Sequence, residues 1–223
     1  MIAEEYLPMG EIPNVSISNK NVVSLINKLM KQTVPNFKSY LASGFHKKKQ
    51  LNEEEFTQLF TKQAQILIRA ENYPFNIEGE YKDVYNLSRG FSDFFFYPNE
   101  QNVSTASIFS VESKRLPSPE KYREKEYVIG DKNNGGIERY KKEKHGKGLN
   151  ECGLLGFIEK EESKHWLKKI NGWIEDLANS DTTWNKNEIL TELEARTDFS
   201  YLKSIAHRKT DDINLYHIWI KMS

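Results

Sequence analysis

Glutamate and lysine stand two positions apart three times in this chain. The pairs are Glu80/Lys82, Glu112/Lys114 and Glu162/Lys164, and the last two belong to the same tripeptide, ESK. On a β-strand, alternate side chains point to one face, so such a pair presents a carboxylate and an ammonium group together. A carboxylate can hold a hard divalent cation, and a neighbouring lysine can orient water or stabilise charge developing on a phosphate. Such a pair, joined by a second carboxylate, would be suited to hydrolysing a phosphodiester.

The three Glu-x-Lys pairs differ in the sequence that surrounds them. Glu162/Lys164 lies in a polar segment that enters a helical pattern, where such charges usually form a solvated face. Glu80/Lys82 lies in a turn-rich stretch and has the same explanation. Glu112/Lys114 ends the apolar run SIFSV, and the alternative there is that strand charges protect a sheet edge from aggregation. Spacing alone does not choose between chemistry and surface charge.

An aspartate upstream strengthens the case for Glu112 and Lys114. The segments FSDFFFYP and STASIFSVESKRLP are rich in aromatic and β-branched residues, and the turn-forming PNEQN separates them. We therefore predict two consecutive antiparallel strands, with Asp93 beside Glu112 at one end of a sheet. Two carboxylates and a lysine would then converge.

Hydrophobic spacing predicts the elements that must support these strands. The apolar positions from Val22 to Met30 predict a short amphipathic helix that Pro35 ends, and a long helix follows the capping residue Asn52. Further expected elements are a basic helix in IERYKKEKHGKGLN, a buried strand in ECGLLGFIEK, a helix in ESKHWLKKINGWIEDLANS and a hairpin in FSYLKSIAHRKTDDINLYHIWIKMS. This order predicts an α/β fold with a mixed central sheet flanked by helices.

Length and composition fit one domain with extensions. A chain of 223 residues can bury one substantial core but is short for two full domains. We assign residues 1–50 to an N-terminal arm and short helix, and residues 51–223 to the main domain with its C-terminal helix and hairpin.

Lys plus Arg and Asp plus Glu both number 32, so no global charge indicates a nucleic-acid or membrane partner. The single cysteine, Cys152, and the absence of a signal-peptide pattern favour a reducing, cytoplasmic location.

An aspartate in one strand followed by Glu-x-Lys in the next resembles the PD-(D/E)XK nuclease superfamily, whose members share the restriction-endonuclease-like fold. The similarity extends from residue 52 to residue 160, because GGIERYKKEKHG and GLLGFI resemble the basic helix and following strand beside such active sites. The proline that opens the superfamily motif is absent, since Ser92 precedes Asp93.

The resemblance implies roles for individual residues at the strand ends. Asp93 and Glu112 would bind Mg²⁺, for which Mn²⁺ could substitute, and the carbonyl group of Ser113 would be a third ligand. Lys114 would be the catalytic lysine.

Many members of the superfamily add a glutamate from the first core helix. The candidates here are Glu53, Glu54 and Glu55, and we choose Glu55 because it adjoins the apolar residue Phe56. The alternative is that three acids in a first helical turn simply complement the helix dipole.

A local excess of positive charge lies downstream of the strands. Between Arg139 and Lys147, five basic residues and one glutamate leave a formal charge of plus four. The candidates for contacts with a phosphate backbone, which set affinity without reading sequence, are Arg139, Lys141, Lys142 and Lys144. A solvated helix face is the competing explanation. His145 is either a group that titrates near neutrality or a helix-end residue.

The sequence thus predicts a divalent-metal-dependent nuclease that hydrolyses phosphodiester bonds, with DNA favoured over RNA and phage defence or DNA repair as its setting. A second hypothesis is a catalytically inactive nucleic-acid-binding or assembly module of the same fold. A third, a protein-interaction domain, would expose the aromatic face of FSDFFFYP. A targeting partner protein and a homodimer both stay open, and no membrane partner is predicted.

Overall fold

The computed structural model describes residues 19–82 and 90–222. The helices are α1 (Asn19–Ala42), α2 (Glu53–Glu71), α3 (Gly136–Lys141) and α4 (Ser163–Ser180). The strands are β1 (Phe75–Lys82), β2 (Phe91–Pro98), β3 (Phe109–Leu116), β4 (Glu151–Ile158), β5 (Thr191–Ala195), β6 (Phe199–His207) and β7 (Asp212–Lys221). Short 3₁₀ helices cover Lys121–Tyr127, Asp131–Asn133 and Lys186–Glu188. Residues 1–18 of the predicted N-terminal arm lie outside the described ranges.

Seven strands form one mixed sheet in the order β1-β2-β3-β4-β7-β6-β5. The three central strands β3, β4 and β7 run parallel to one another. The strands outside them pair antiparallel with their neighbours. The predicted α/β architecture, a mixed central sheet flanked by helices, is confirmed. Across the described ranges, no helix combines the length and apolar character needed to span a membrane.

Two hydrophobic clusters cover opposite faces of the sheet. The successive residues Leu154 and Leu155 of β4 belong to different clusters, as alternation along a strand requires. The first cluster packs α1 and α2 onto aromatic side chains such as Phe94. The second contains Trp166 and Ile170 of α4. The strands that carry the candidate residues are therefore fixed from both sides.

Most of the predicted elements near the candidate residues are confirmed. Asn52 caps α2, since its side-chain oxygen accepts a hydrogen bond from Glu55 N at 2.8 Å. The strands β2, β3 and β4 and the helix α4 form in the expected segments. The terminal hairpin also forms, with β6 and β7 paired from Phe199↔Ile220 to His207↔Asp212.

The first helix is longer than predicted, because Pro35 lies inside α1 and does not end it. A proline within a helix costs about 3 kcal/mol, since it lacks an N–H donor and crowds the preceding turn. Its neighbours Val34 and Phe37 are completely buried in the cluster that joins α1, α2 and the sheet. This burial offsets the cost of the proline and makes α1 part of the same core.

Three further elements differ from the prediction. Hydrophobic spacing does not predict β1 and β5, which are the two edge strands of the sheet. The sequence of β5, TELEA, is short and charged, as is common where an edge must resist pairing with another chain. The basic helix ends at Lys141, because Glu143 (φ 51°) and Gly146 (φ 63°) adopt left-handed conformations.

A buried hydrogen-bond network connects β7 with the 3₁₀ helix Lys121–Tyr127. The Nδ1 and Nε2 atoms of the fully buried His217 lie 2.8 Å from Tyr127 Oη and 2.8 Å from Ser204 Oγ. Trp219 Nε1 donates to Tyr127 Oη at 2.8 Å. Burial lowers the pKa of His217 to about 3. The imidazole is therefore neutral in the folded protein.

We expect acid to destabilise the protein through His217. The unfolded histidine has a pKa of about 6.5, so on acidification the unfolded chain takes up the proton first. The stability that neutral His217 contributes is complete above about pH 6.5 and falls toward pH 3, by up to about 1.4 kcal/mol per pH unit. Urea unfolding between about pH 7 and pH 4 should show a flatter pH dependence for His217→Gln than for wild type. An unchanged slope in His217→Gln, or an equal flattening in the exposed control His165→Gln, would contradict this expectation.

Candidate active site

The candidate residues meet where β2 and β3 separate. The backbone ladder between these strands ends at Phe94↔Val111. One position further along, the link between the strands is a side-chain hydrogen bond: Asp93 Oδ2 accepts from the backbone N–H of Ser113 at 2.6 Å. Continuing the register places Asp93 opposite Glu112 on the same face of the sheet. The structure thus brings together the two carboxylates that the sequence paired.

Glu112 is completely buried among basic side chains. Its Oε1 accepts hydrogen bonds from Lys114 Nζ, at 2.7 Å, and from Arg139 Nη1. His145 Nδ1 lies 3.2 Å from the other oxygen, Oε2. Burial alone would raise the pKa of Glu112, but Lys114, His145 and Arg139 outweigh it and lower the pKa to about 2. Glu112 is therefore ionised throughout the physiological pH range.

Asp93 has the opposite electrostatic character. Burial raises the pKa of Asp93 to about 7, and the negative charge of Glu112 adds to this effect against the opposing charge of Lys114. A cation bound beside Asp93 would favour the ionised form of this carboxyl group and lower its pKa.

Lys114 lies among carboxylates from three elements. Its Nζ is 2.7 Å from Glu112 Oε1 and 3.3 Å from Glu53 Oε1. Burial would lower the pKa of Lys114, but the charges of Glu112, Glu53 and Asp93 raise the pKa above its ordinary value. An ammonium group held in this way can orient water or stabilise negative charge, but it cannot accept a proton.

Glu53, and not the predicted Glu55, reaches the site from α2. Glu53 Oε2 accepts a hydrogen bond from Arg115 N at 2.9 Å, while its Oε1 contacts Lys114. Glu55 turns back to the helix cap, where it accepts from Asn52 N at 2.8 Å and from Lys48 Nζ at 2.7 Å. The spacing Asn-x-x-Glu is that of a capping box, and this signal could have assigned Glu55 to the cap.

The donor atoms suit a hard divalent cation. Glu112 Oε2 is buried and has no hydrogen-bond partner among the described residues, and such an oxygen is available to an ion. Ser113 N faces Asp93, and the carbonyl group of an extended residue points to the same edge as its N–H. Within the described ranges, no three His, Cys, Asp or Glu side chains form a ready metal cluster. Mg²⁺ commonly takes one or two carboxylates and completes its shell with water and substrate phosphate.

A cavity of about 230 Å³ opens beside Lys114. Its lining includes Glu53, Arg115, Arg123 and Tyr127. The cavity offers space for a phosphate group or water molecules next to the lysine. Substrate could therefore approach the ammonium group from the side of the α2 N-terminus.

The predicted phosphate-binding residues do not form one surface. Lys141 is buried, forms an ion pair with Glu188, donates to the His207 carbonyl at 3.0 Å and lies 4.7 Å from the Trp184 ring centre. It is therefore not available to a phosphate backbone.

The other three basic residues lie nearer the surface. Arg139 pairs with Glu112 inside the site. Lys142 is exposed and contacts Glu138 at 3.0 Å, and the partly exposed Lys144 donates to the Lys132 carbonyl at 3.0 Å. The predicted helix face divides in this way because α3 ends at Lys141.

No protein-family model, curated protein or solved structure matches this chain. The resemblance to the PD-(D/E)XK superfamily therefore depends on the residues quoted above and stays a prediction.

Proposed function

We propose that this chain is a divalent-metal-dependent nuclease with the restriction-endonuclease-like fold. The observation that carries the proposal is the convergence of Asp93, Glu112 and Lys114 at the point where β2 and β3 separate. Glu53 adds a fourth charged group from the first turn of α2. A lysine held by carboxylates beside an open cavity is an arrangement suited to hydrolysing a phosphodiester.

Asp93, Glu112 and the Ser113 carbonyl would hold the cation, Mg²⁺ or Mn²⁺. The bound ion would neutralise phosphate charge and lower the pKa of a coordinated water. The ammonium group of Lys114 would orient the attacking water or stabilise charge on the phosphate as the new bond forms. Glu53 would fix the position of Lys114, and Arg139 would hold the Glu112 carboxylate from its other side.

The substrate that this proposal favours is DNA, on the basis of the superfamily resemblance. Lys142 and Lys144 lie on the loop that follows α3 and supply positive charge for backbone phosphates. Contacts of this kind position a nucleic acid without reading its sequence.

An inactive nucleic-acid-binding or assembly module is the second candidate. The observation in its favour is that Glu112 already pairs with Lys114 and Arg139, which neutralise its charge without a metal ion. The protein-interaction hypothesis has less support, because Phe94, Phe95 and Phe96 of FSDFFFYP are buried.

Purified protein should cleave DNA when Mg²⁺ or Mn²⁺ is added, and Asp93→Asn should reduce the rate at least about 10²-fold, since it removes a charged ligand. Single- and double-stranded DNA and RNA would be tested at enzyme excess, with EDTA as the metal-free control. The matched control Asp176→Asn alters an exposed carboxylate on α4 and should cleave like wild type. Absence of cleavage on every substrate would exclude the nuclease and favour the inactive module. Equal cleavage by Asp93→Asn would show that the cleavage does not come from the proposed site.

A further inference from the structure

His145 is held rigidly against the candidate site by its neighbours. Its side chain is 2% exposed. A Cβ atom placed on Gly90 would lie 2.4 Å from His145 Cδ2, so the glycine backbone packs directly on one side of the ring. The Tyr140 ring meets the imidazole edge-on, with centres 5.8 Å apart and an angle of 86° between the planes. The imidazole therefore has a fixed place beside Glu112.

Two unsatisfied atoms face each other at this place. His145 Nδ1 and Glu112 Oε2 are both buried and lie 3.2 Å apart, in electrostatic contact, but neither atom makes a hydrogen bond of good geometry with a described residue. The permanent cations Lys114 and Arg139 both donate to the other carboxylate oxygen, Oε1. Leaving two buried polar atoms unpaired costs free energy, and a ligand that accepts electron pairs from both would remove the cost.

The distance between the two atoms suits neighbouring ligands of one metal ion. Donors at about 2.2 Å from an octahedral ion and at right angles to each other lie about 3.1 Å apart. An imidazole that binds a metal ion through Nδ1 is neutral and carries its proton on Nε2, so that the Nδ1 electron pair is available for the bond.

We propose that His145 Nδ1 is a nitrogen ligand of the metal ion that Glu112 Oε2 binds, so that the site has mixed nitrogen and oxygen ligands. This inference rests on the metal site of the proposed function. Imidazole suits transition metals, whereas Mg²⁺ prefers oxygen ligands alone. The site therefore selects Mn²⁺ over Mg²⁺, although carboxylates alone would accept either ion.

Pulsed electron paramagnetic resonance of Mn²⁺ bound to the metal-stripped full chain tests the ligand directly. We expect nitrogen coupling in wild type, a change of that coupling when the histidines carry ¹⁵N, and its loss in His145→Gln. The control His207→Gln, which alters a histidine of the β6–β7 hairpin, should keep the coupling. Calorimetry should show Mn²⁺ binding at least about tenfold tighter than Mg²⁺ in wild type, with most of this preference lost in His145→Gln.

The outcomes separate this inference from the proposed function. Glu112-dependent Mn²⁺ binding without nitrogen coupling would overturn the role of His145 and leave the nuclease proposal in place. Nitrogen coupling that persists in His145→Gln would assign another histidine and also overturn it. Absence of Mn²⁺ and Mg²⁺ binding together with absence of cleavage would overturn both proposals. If His145→Gln does not fold, absence of histidine nitrogen coupling in the labelled wild-type protein would still overturn the role of His145.

Discussion

Replacement of Lys114 by methionine is expected to slow phosphodiester cleavage by about 10²- to 10⁴-fold while Mn²⁺ binding is retained. The methionine keeps most of the buried stem but removes the ammonium group that contacts Glu112 and Glu53. In the proposed mechanism the lysine acts on water or phosphate and does not bind the cation, so its loss should separate chemistry from metal binding. Arg139 still pairs with Glu112 in this variant, so the buried carboxylate keeps a cationic partner.

Single-turnover cleavage and Mn²⁺ calorimetry on the same preparations would measure the two effects. The chain supplies a matched control, because Lys164 ends the second ESK tripeptide and is exposed on α4. Lys164→Met should cleave at the wild-type rate. Thermal unfolding would show that Lys114→Met is folded under the assay conditions. A folded Lys114→Met protein with wild-type cleavage would remove the lysine from the proposed mechanism.

Glu188→Ala is expected to lower the free energy of unfolding by about 3 to 5 kcal/mol, because it leaves a buried charge without its partner. Glu188 is completely buried, pairs with Lys141 and accepts a hydrogen bond from His207 N at 2.6 Å. Its other carboxylate oxygen accepts from Asn185 N at 2.7 Å. The substitution therefore disconnects α3, the 3₁₀ helix Lys186–Glu188 and β6 at once.

Urea or thermal unfolding of the full chain would measure this loss. A loss of that size should lower the melting temperature by about 6 to 20 °C for a chain of this length. Glu124→Ala is the control, because Glu124 and its partner Lys169 are about one-third exposed, and exposed pairs contribute at most about 1 kcal/mol. The double variant Lys141→Met/Glu188→Leu should recover much of the stability, since apolar side chains can replace a buried ion pair. Equal losses for Glu188→Ala and Glu124→Ala would contradict the buried-charge explanation.

The amino-acid sequence by itself determined the elements whose hydrophobic pattern is local. Enrichment in aromatic and β-branched residues predicts β2 and β3, and helical spacing after Asn52 predicts α2. Because side chains on a strand alternate with a period of two, the same pattern paired Asp93 with Glu112 and Lys114. The centre of the candidate site could therefore be predicted without a structure.

Only the tertiary structure decided which other charged residues join or leave the site. Glu53 contacts Lys114 across 61 positions of sequence, and Lys141 meets Glu188 across 47 positions. His145 lies beside Glu112 only because α3 ends early and the following loop packs against Gly90. The energies of such contacts depend on burial and on partners distant in the chain, and a local pattern contains neither.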